Sequence, residues 1–501
     1  MTEFESPQSP ERSQSNSDLN FDIEKPLNPD TEKKELEFAK KLSEKVSPFD
    51  GKAFIVGGYA RDEAMRRAGQ KDIRSKDIDI EVYGVSFEQL KSIIEADDFK
   101  DFGTPNLVGK SFGVIKIGEI DISLPRRDSK VASGHRGFEI EVDPNLSLHQ
   151  ASLRRDLTIN ALLLDPITGE IVDPVGGLED LENKILRAVD LKTFGEDPLR
   201  ALRLAQFAAR FGFQVDEKTI EIAKNLPLSE LPNARIGEEW RKLLLKSSKP
   251  SIGLEIARQV GVIEKLHPAL FAIIGVEQEA DFHPEGDVWT HSLIAVDVAA
   301  EIVERESLSG DDALTIKLAA LLHDLGKPAT TQKRLVRGQW RITSYGHEEA
   351  GIEPTRQFLS RMEFGNNVNE RVEKLVRYHM YLSSNPNPDQ AAIRRLSTKI
   401  SPSSIQQLSF VMEADRRGRV GLPQGLDEII NLTKLASEVG VTQEPQRPII
   451  QGRDLIALGL KPGKKFGEII RNVQEAYLSG NIQTREEALE LANQESQKDS
   501  S

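Results

Sequence analysis

Two stretches decide the fold of the first third of this 501-residue chain, AFIVGGYARD (residues 53–62) and KDIDIEVYG (residues 76–84). The first is an apolar β-like run that breaks at Gly57-Gly58 and opens a helix carrying Arg61. A glycine pair at a strand-to-helix turn lets backbone N–H groups approach a phosphate. The pattern therefore predicts a phosphate-binding turn at the start of a small α/β unit.

The second stretch alternates acidic and apolar residues with the period of two that a β-strand requires. Asp77, Asp79 and Glu81 share one face, and apolar residues occupy the other. Carboxylates at positions i and i+2 project the same way and can hold two metal ions about 3.5–4 Å apart. IDISLP (residues 120–125) repeats the pattern with Asp121 facing away from the core. A single acidic strand is usually a solvated surface, but two of them beside a glycine turn favour a metal site.

The pattern of apolar residues changes once along the chain. Further β-like runs (FGVIKIG, FEIEV and INALLLD) alternate with turns and a helix up to about residue 175, and nearly everything after residue 180 has helical spacing. We therefore predict an α+β protein, with a small mixed α/β head followed by a long helical body. The predicted divisions are the head (45–180), a helical neck (181–275), a second helical domain (276–420) and a helical C-terminal region (421–485).

The formal net charge of −14 is concentrated at the two ends of the chain. Residues 1–37, predicted to be a disordered acidic tail, carry −6, and residues 485–501 carry −3. Residues 486–501 are predicted to be a polar tail. Residues 126–137 carry +3 and residues 200–250 carry +4, so the distribution allows the phosphate contacts that the total would discourage.

Composition excludes several classes of protein. The chain has no cysteine, which excludes disulfides, thiolate zinc sites, iron–sulfur clusters and cysteine nucleophiles. No apolar run approaches the roughly 18 residues that span a bilayer, and the first residues lack the pattern of a signal peptide. We therefore expect a cytoplasmic protein with no membrane partner.

The order of GGYARD and KDIDIEVYG resembles the class II tRNA nucleotidyltransferase and bacterial poly(A) polymerase superfamily, whose head is polymerase-beta-like. LRRDLTINALLLD (residues 153–165) is similar to the RRD motif of that family, and GEDPLRALRLAQFAARFGF (residues 195–213) to its nucleotide-selecting segment. IQGRDLIALGLKPGKKFGEII (residues 450–470) resembles its C-terminal region. The resemblance implies a nucleotidyltransferase head followed by an all-α neck.

The resemblance also implies roles for individual residues. Asp77 and Asp79 would bind Mg²⁺, Asp121 would be the third carboxylate, and Glu81 would be an ordinary surface acid. One Mg²⁺ would lower the pKa of an attacking tRNA 3′-hydroxyl, and a second would neutralise the triphosphate and its leaving group. For Asp156, a helix cap or an arginine partner is an open alternative. The residues expected to bind the nucleotide are Gly57, Gly58, Arg61, Arg154, Arg155, Asp156, Asn160, Asp197, Arg200 and Arg203.

Asp197 and Arg200 are neighbours at i and i+3 near the start of a predicted helix. An aspartate can accept from the exocyclic amine of cytosine or adenine while an arginine donates to a ring nitrogen, and the resemblance implies this role. A helix cap is the alternative for an aspartate that precedes proline. Residues 126–137 lie where relatives carry a mobile loop that helps switch from C to A addition, with an ordinary loop as the alternative.

A second pattern lies in the helical body. Histidines and aspartates there are 24 to 36 residues apart on different predicted helices, and their convergence would form a site for a divalent transition metal. LLHDLGKP (residues 321–328) resembles the HD phosphohydrolase superfamily. The resemblance implies that one metal is held by four ligands, namely His291, His323, Asp324 and Asp415. His347 and His379 would bind a second metal or a phosphate. Lys327 would contact phosphate or interact with a helix C-terminus, and His283 would be a further candidate or a residue of a turn. The six main residues are His291, His323, Asp324, Asp415, His347 and His379.

These patterns lead to one main hypothesis. The chain is predicted to be a template-independent nucleotidyltransferase that adds C, A or both to the tRNA 3′ end from CTP and ATP, with an HD-domain phosphohydrolase attached. A poly(A) polymerase is the nearest alternative. A phosphohydrolase with a regulatory nucleotide-binding head is the second, and a binding module with two inert sites is the third.

Overall fold

The protein is described by a computed structural model that covers residues 27–70, 73–108, 114–130, 138–445 and 447–497. The head helices are α1 (Pro29–Val46), α2 (Gly58–Arg67), α3 (Phe87–Ile94), α4 (Leu148–Ser152) and α5 (Gly177–Glu182). The head strands are β1 (Lys52–Val56), β2 (Asp79–Tyr83), β3 (Asn106–Val108), β4 (Val114–Ile117), β5 (Ile120–Ser123), β6 (Arg126–Lys130), β7 (Phe138–Val142), β8 (Leu163–Leu164) and β9 (Ile171–Val172). Short 3-10 helices lie at Ser47–Phe49, Asp97–Phe102, Thr158–Asn160 and Leu228–Glu230.

Seven of the head strands form one sheet in the order β3-β4-β5-β2-β1-β8-β9, and β6 and β7 pair as a separate hairpin. Strand β2 is antiparallel to β1 and parallel to β5, with Asp79 opposite Asp121. Ile80 and Ile122, the next residues on these strands, are fully buried. The alternation predicted from the sequence therefore directs the apolar residues into the core and brings the two aspartates to neighbouring positions.

Helix α1 begins at Pro29 and so corrects the prediction of disorder for residues 29–37, while residues 1–26 lie outside the described residues. The Asn28 side chain caps it by accepting a hydrogen bond from the Thr31 amide at 2.8 Å, and proline suits the first helical turn. Phe38 and Leu42 are buried against the head. The apolar stripe starts only near the end of the helix's first half, so the composition of residues 1–37 hid its beginning.

The neck is helical, as predicted, with α7 packed between α9 and α10. Gly253 lets α10 approach α7 closely, since a Cβ there would lie 2.5 Å from the carbonyl oxygen of Ala205. Two short strands, β10 (Ile185–Leu186) and β11 (Gln214–Val215), pair in parallel beside it. The neck helices are α6 (Leu191–Phe194), α7 (Leu199–Phe211), α8 (Glu217–Lys224), α9 (Asn233–Leu245), α10 (Pro250–Gln259), α11 (Val262–Leu266) and α12 (Pro268–Phe271).

The next part of the chain is a helical bundle in which α13 packs on both α14 and α21. It also contains a β-hairpin that helical spacing did not predict, formed by β12 (Gln332–Val336) and β13 (Gln339–Thr343). The helices are α13 (Val288–Arg305), α14 (Gly310–Leu322), α15 (Lys327–Thr330), α16 (His347–Ala350), α17 (Ile352–Ser360), α18 (Asn366–Tyr378), α19 (Tyr381–Ser384), α20 (Gln390–Ile400) and α21 (Ile405–Gly418).

In the C-terminal region, α25 runs to Gln497 and corrects the prediction of a polar tail over residues 486–497, while residues 498–501 lie outside the described residues. Ala488 and Ala492, one turn apart, are fully buried in a cluster with Leu455 and Val473. Two small apolar residues among acids are a weak signal, which explains the error. The helices are α22 (Asp427–Glu438), α23 (Gly452–Ala457), α24 (Lys464–Leu478) and α25 (Arg485–Gln497).

The α+β fold class, with a mixed head and a helical body, is confirmed. The predicted divisions at residues 45, 181, 276 and 421 remain predictions. Within the described ranges, no helix is long and apolar enough to cross a bilayer.

Candidate active sites

The first site is a basic cavity of about 920 Å³ between the head and the neck. Residues from the β1–α2 turn, β2, the Arg154–Asn160 segment, α7 and α9 line it, so both parts of the chain contribute. Eleven lysines and arginines face five aspartates, which favours a polyanionic ligand. Every residue predicted to bind a nucleotide lies in this lining: Gly57, Gly58, Arg61, Arg154, Arg155, Asp156, Asn160, Asp197, Arg200 and Arg203.

Asp79 has two acidic neighbours, Asp77 and Asp121. Burial and the neighbouring Asp77 raise its pKa to about 6, Asp121 adds to this, and Arg155 opposes it. Among the described residues, Asp77, Asp79 and Asp121 do not form a group with all ligand atoms within 4.8 Å, so they are neighbours rather than a closed cluster. Neighbouring carboxylate oxygens, one of which has its pKa raised by the others, are a donor set that fits Mg²⁺.

The glycine turn brings backbone close to these side chains. Gly57 has a φ of +70°, and a Cβ there would lie 3.7 Å from Asp79 Oδ2 and 3.6 Å from an Arg155 nitrogen. A residue with a side chain would adopt this backbone conformation only with strain. The turn therefore leaves space beside the carboxylate, and its role in binding phosphate stays a prediction.

Glu81 corrects another prediction, because it is a buried residue rather than a surface acid, with 2% of its area exposed. Its carboxylate accepts hydrogen bonds from Arg154 at 2.5 Å and from the Tyr83 hydroxyl at 2.7 Å. Burial opposes ionisation, but Arg155 and Arg154 lower the pKa of Glu81. Strand alternation alone does not distinguish a buried, paired acid from a solvated one. The pairing of Arg154 with Glu81 fixes an arginine in the lining of the cavity.

Asp156 is an arginine partner, the second of its two alternatives. It accepts hydrogen bonds from Arg203 Nε at 2.7 Å and from the Asn160 amide at 2.9 Å. Burial would raise its pKa, but Arg203 and Asn160 lower the pKa of Asp156 to about 2. Arg61 in turn donates to Asn160 Oδ1 at 2.6 Å. This chain of hydrogen bonds ties α2, the RRD segment and α7 together.

Asp197 and Arg200 both line the cavity, but each is held by the backbone. Asp197 accepts from the amide of Leu199 at 3.0 Å, and Arg200 donates to the carbonyl oxygens of Thr193 and Arg154, both at 2.6 Å. Their predicted role in selecting the base stays a prediction. Of the basic stretch at residues 126–137, the first part is strand β6, and residues 131–137 lie outside the described residues.

The second site brings together all six predicted side chains from the helical body. They come from helix α13, the end of α14, the start of α16, the end of α18 and helix α21. All are buried, with 7% or less of their area exposed: His291, His323, Asp324, His347, His379 and Asp415.

Asp324 lies between two groups of these ligands. Its Oδ2 atom is 3.2 Å from His323 Nε2, and its Oδ1 atom is 3.2 Å from His347 Nε2. His291 Nε2 lies 3.1 Å from Asp415 Oδ1, and the Nε2 atoms of His347 and His379 are 3.1 Å apart. Each oxygen of one carboxylate therefore faces a different part of the cluster.

The backbone holds the imidazoles with Nε2 facing inward. The Nδ1 atoms of His323, His347 and His379 lie 2.8, 2.8 and 2.6 Å from backbone carbonyl oxygens, which accept from them. The lone pairs of these two Nε2 atoms, 3.1 Å apart, repel each other unless a proton or a metal cation lies between them. His323 Nε2 lies near Asp324 without hydrogen-bond geometry. These donors fit a divalent transition metal.

Residues around the cluster orient it. Glu285 accepts from His291 Nδ1 at 2.7 Å and pairs with His283 Nδ1 at 2.9 Å, so His283 belongs to the surroundings of the site as well as to a turn. Lys327 lies 2.6 Å from Asp324 and donates to Gln278, and Arg419 donates to Asp415 at 2.9 Å. The sequence analysis missed Glu285, Gln278 and Arg419. Arg419 follows Asp415 by four residues and comes directly after the last residue of α21, and a spacing of four predicts an ion pair.

Two parts of the chain match known domain families. Residues 53–187 match the poly A polymerase head domain, and residues 288–416 match the HD domain. The multifunctional CCA protein of Mannheimia succiniciproducens is 33% identical over 78% of this chain and 90% of its own length. That of Xanthomonas campestris pv. campestris is 32% identical over 85% of this chain and 98% of its own length.

Solved structures share the fold. The CCA-adding enzyme of Bacillus stearothermophilus in complex with CTP superposes with a TM-score of 0.60 at 18% identity, covering 95% of this chain and 100% of its own. The Thermotoga maritima CCA-adding enzyme complexed with tRNA gives 0.55 at 19% identity, covering 94% and 96%.

The fold and its two sites define a nucleotidyltransferase head joined to an HD domain. At the identity and coverage of its relatives, the chain belongs to the family of multifunctional CCA proteins. The family and enzyme class predicted from the motifs are confirmed.

Proposed function

We propose that the chain adds CCA to the 3′ end of tRNA from CTP and ATP, releasing pyrophosphate. The observation that carries this proposal is that Asp77 and Asp79 line a basic cavity shared by head and neck, while Asp121 lies opposite Asp79 on the neighbouring strand. Family membership supports the choice of substrate, since the relatives are multifunctional CCA proteins. We also propose that the reaction takes place in the cytoplasm, which fractionation of the source cells would test.

The side chains divide the work. Asp77 and Asp79, with Asp121 on the neighbouring strand, would hold Mg²⁺, which activates the 3′-hydroxyl and neutralises the departing pyrophosphate. The amides of the Gly57-Gly58 turn are placed to approach the triphosphate. The arginines of the lining would balance its charge and hold the α-phosphate in line with the tRNA hydroxyl.

The preference for C and A would come from Asp197 and Arg200 at the start of α7. A carboxylate can accept from the amine that cytosine and adenine share, and uracil and guanine lack that amine in the matching place. Arg200 lines the cavity, and its two hydrogen bonds to backbone carbonyls fix the orientation of its guanidinium. Asp197→Ala should therefore raise incorporation of UTP and GTP relative to CTP and ATP.

Extension of three tRNAs ending in –N, –NC and –NCC tests the main proposal. With Mg²⁺, CTP and ATP, each should grow to –NCCA and stop. Long A tails on unrelated RNA would instead identify a poly(A) polymerase. Nucleotide binding without any extension would identify a phosphohydrolase with a regulatory head.

We further propose that the HD domain is a phosphohydrolase that uses a divalent transition metal. The inward Nε2 atoms of its four buried histidines support this function. A 2′,3′-cyclic nucleotide, a 2′-nucleotide and a phosphomonoester should be assayed with Ni²⁺, Co²⁺ and Mn²⁺. If no metal supports hydrolysis of any of the three, this part of the proposal is wrong.

A further inference from the structure

A basic hairpin with exposed aromatic residues separates Asp324 from His347. Residues 327–346 contain five lysines and arginines and no acid. Strands β12 and β13 meet at a two-residue turn, Arg337-Gly338, in which both residues have positive φ (49° and 82°). Such a turn is typical of a tight, rigid hairpin. The segment is therefore a positively charged projection from the HD domain.

One face of the hairpin combines apolar and cationic side chains. Trp340 is opposite Leu335 in the strand register, with 73% and 61% of their areas exposed. By strand alternation, Lys333 lies on the same face. Within the described residues, neither Lys333 nor Arg337 at the tip forms an ion pair. An exposed indole beside unpaired cations matches the chemistry of a nucleotide strand, whose bases stack and whose phosphates attract cations.

The hairpin is attached to the metal-ligand cluster at its base. Thr331 and Ser344 hydrogen-bond through their hydroxyls at 2.7 Å, and the carbonyl of Ser344 accepts from His347 Nδ1. Arg341 donates to Asp281 at 3.0 Å and lies over the ring of Phe282. Asp281 and Phe282 line a cavity of about 410 Å³ together with His379 and Asp415. By strand alternation Arg341 and Trp340 point to opposite faces of the hairpin, so RNA stacked on Trp340 would pass around the edge of the two strands to reach this cavity.

We propose that the hairpin from Gln332 to Thr343 binds single-stranded RNA and directs its 3′ end to the HD site. RNA is favoured over a protein partner because Lys333 and Arg337 lie on the same hairpin as the exposed indole of Trp340, and residues 327–346 themselves contain no acid, although Arg341 is paired with the neighbouring Asp281. The inference rests on the proposed function, because it assumes that the HD domain is a phosphohydrolase and that the end of an RNA is its substrate. The second site would thus act on the terminus of a polynucleotide rather than on free nucleotides alone.

Tryptophan fluorescence of the full chain tests RNA binding without any catalysis. The chain has three tryptophans, and Trp240 and Trp289 are buried, so acrylamide should quench mainly Trp340. A short oligoadenylate should quench Trp340 emission and protect it from acrylamide, and Trp340→Phe should remove most of the acrylamide-sensitive signal. If RNA leaves Trp340 unchanged, the proposal is wrong. A response to phosphatidylserine vesicles but not to RNA would overturn it in favour of a membrane surface.

Charge reversal tests the cations. When oligoadenylate binding is measured by Trp340 fluorescence, Lys333→Glu combined with Arg337→Glu should weaken RNA binding about tenfold and reduce its salt dependence. Lys100→Glu combined with Arg447→Glu, both on exposed residues far from the hairpin in sequence, is the matched control and should change neither. Equal effects of the two double variants would contradict a specific surface.

Hydrolysis separates this inference from the function on which it rests. Trp340→Ala should raise KM for an oligonucleotide ending in a 2′,3′-cyclic phosphate about tenfold or more, since one base loses its stacking partner. KM for the cyclic mononucleotide should stay unchanged. If the wild type binds RNA at Trp340 but hydrolyses neither substrate, the phosphohydrolase proposal fails and the RNA surface stands. If it hydrolyses both and Trp340→Ala changes neither KM, the RNA surface fails alone.

Discussion

Glu81 accepts a hydrogen bond from Arg154 at 2.5 Å. The two residues are 73 positions apart in sequence, so this bond joins strand β2 to the Arg154–Asn160 segment. Arg155 lies 3.8 Å from the same carboxylate. The strand that carries Asp79 thus also orients two arginines of the nucleotide cavity. Two residues of β2, two positions apart on the same face, would thus serve the proposed cation and the proposed phosphates respectively.

Glu81→Gln should weaken both folding and nucleotide binding. Because the variant leaves two partly buried guanidinium groups without their counter-charge, we expect the free energy of unfolding to fall by about 2–3 kcal/mol. KM for CTP should rise. Because the pKa of Glu81 is lowered in the fold, its contribution is present above pH 4.5 and is lost as the pH falls further. Urea unfolding at several pH values measures it, with the exposed Glu88→Gln as control.

A substitution in one site should abolish the activity of that site and leave the activity of the other unchanged. Asp79→Ala should reduce nucleotidyl transfer at least a hundredfold, because carboxylate ligation of Mg²⁺ supplies several kcal/mol of transition-state stabilisation. Hydrolysis of a 2′,3′-cyclic nucleotide should be unchanged. His323→Ala should show the reverse pattern. Normal transfer by Asp79→Ala would show that the metal site has been assigned to the wrong residues.

The HD site should hold two transition-metal ions. The two oxygens of Asp324 face His323 and His347 respectively, so one carboxylate can bridge two cations. Equilibrium dialysis with Ni²⁺ in excess Mg²⁺ should give two ions per chain for the wild type and one for His379→Ala. The exposed His149→Ala is the control and should retain two. One ion in the wild type would contradict the bridge.

Lys317 makes the stability of the protein depend on alkaline pH. It is buried on α14, and its ammonium donates to the carbonyls of Leu244 at 2.7 Å and Ser247 at 3.1 Å in the neck. Burial lowers the pKa of Lys317 to about 8, against the opposing effect of Asp297. The unfolded chain therefore binds more protons than the folded one between about pH 8 and 10.5, so this lysine makes stability rise with pH in that window.

Lys317→Met should remove that rise, which we expect to reach about 2–3 kcal/mol relative to the wild type by pH 10. Urea unfolding monitored by fluorescence at pH 7, 8.5 and 10 measures the difference. Lys40→Met, on the exposed side of α1, is the control. Parallel pH profiles for the wild type and Lys317→Met would contradict the burial argument.

The sequence predicted best those features that depend on residues close together in the chain. Alternation placed Asp79 and Asp121 on strand faces, and the HD doublet identified the two central ligands of the second site. The parallel pairing of β2 with β5 was not predictable, because it depends on the crossover between them. The convergence of His291 with Asp415 over 124 residues likewise depends on how α13 packs against α21.

The errors have physical causes of the same kind. Glu81 was misjudged because its two arginine neighbours are remote in sequence, and α25 because two alanines supply little apolar signal. The hairpin at residues 332–343 did carry a local signal, an Arg-Gly turn between alternating runs, which the surrounding helical periodicity obscured.

The hydrogen bond between the hydroxyls of Thr331 and Ser344 joins the two ends of the hairpin at its base. Since its two ends already meet there, the segment between them can lengthen, shorten or be exchanged while Asp324 and His347 keep their positions. Evolution can therefore alter which polymers reach this hydrolytic centre without rebuilding the centre itself, and the same junction is a natural place to graft a different recognition element.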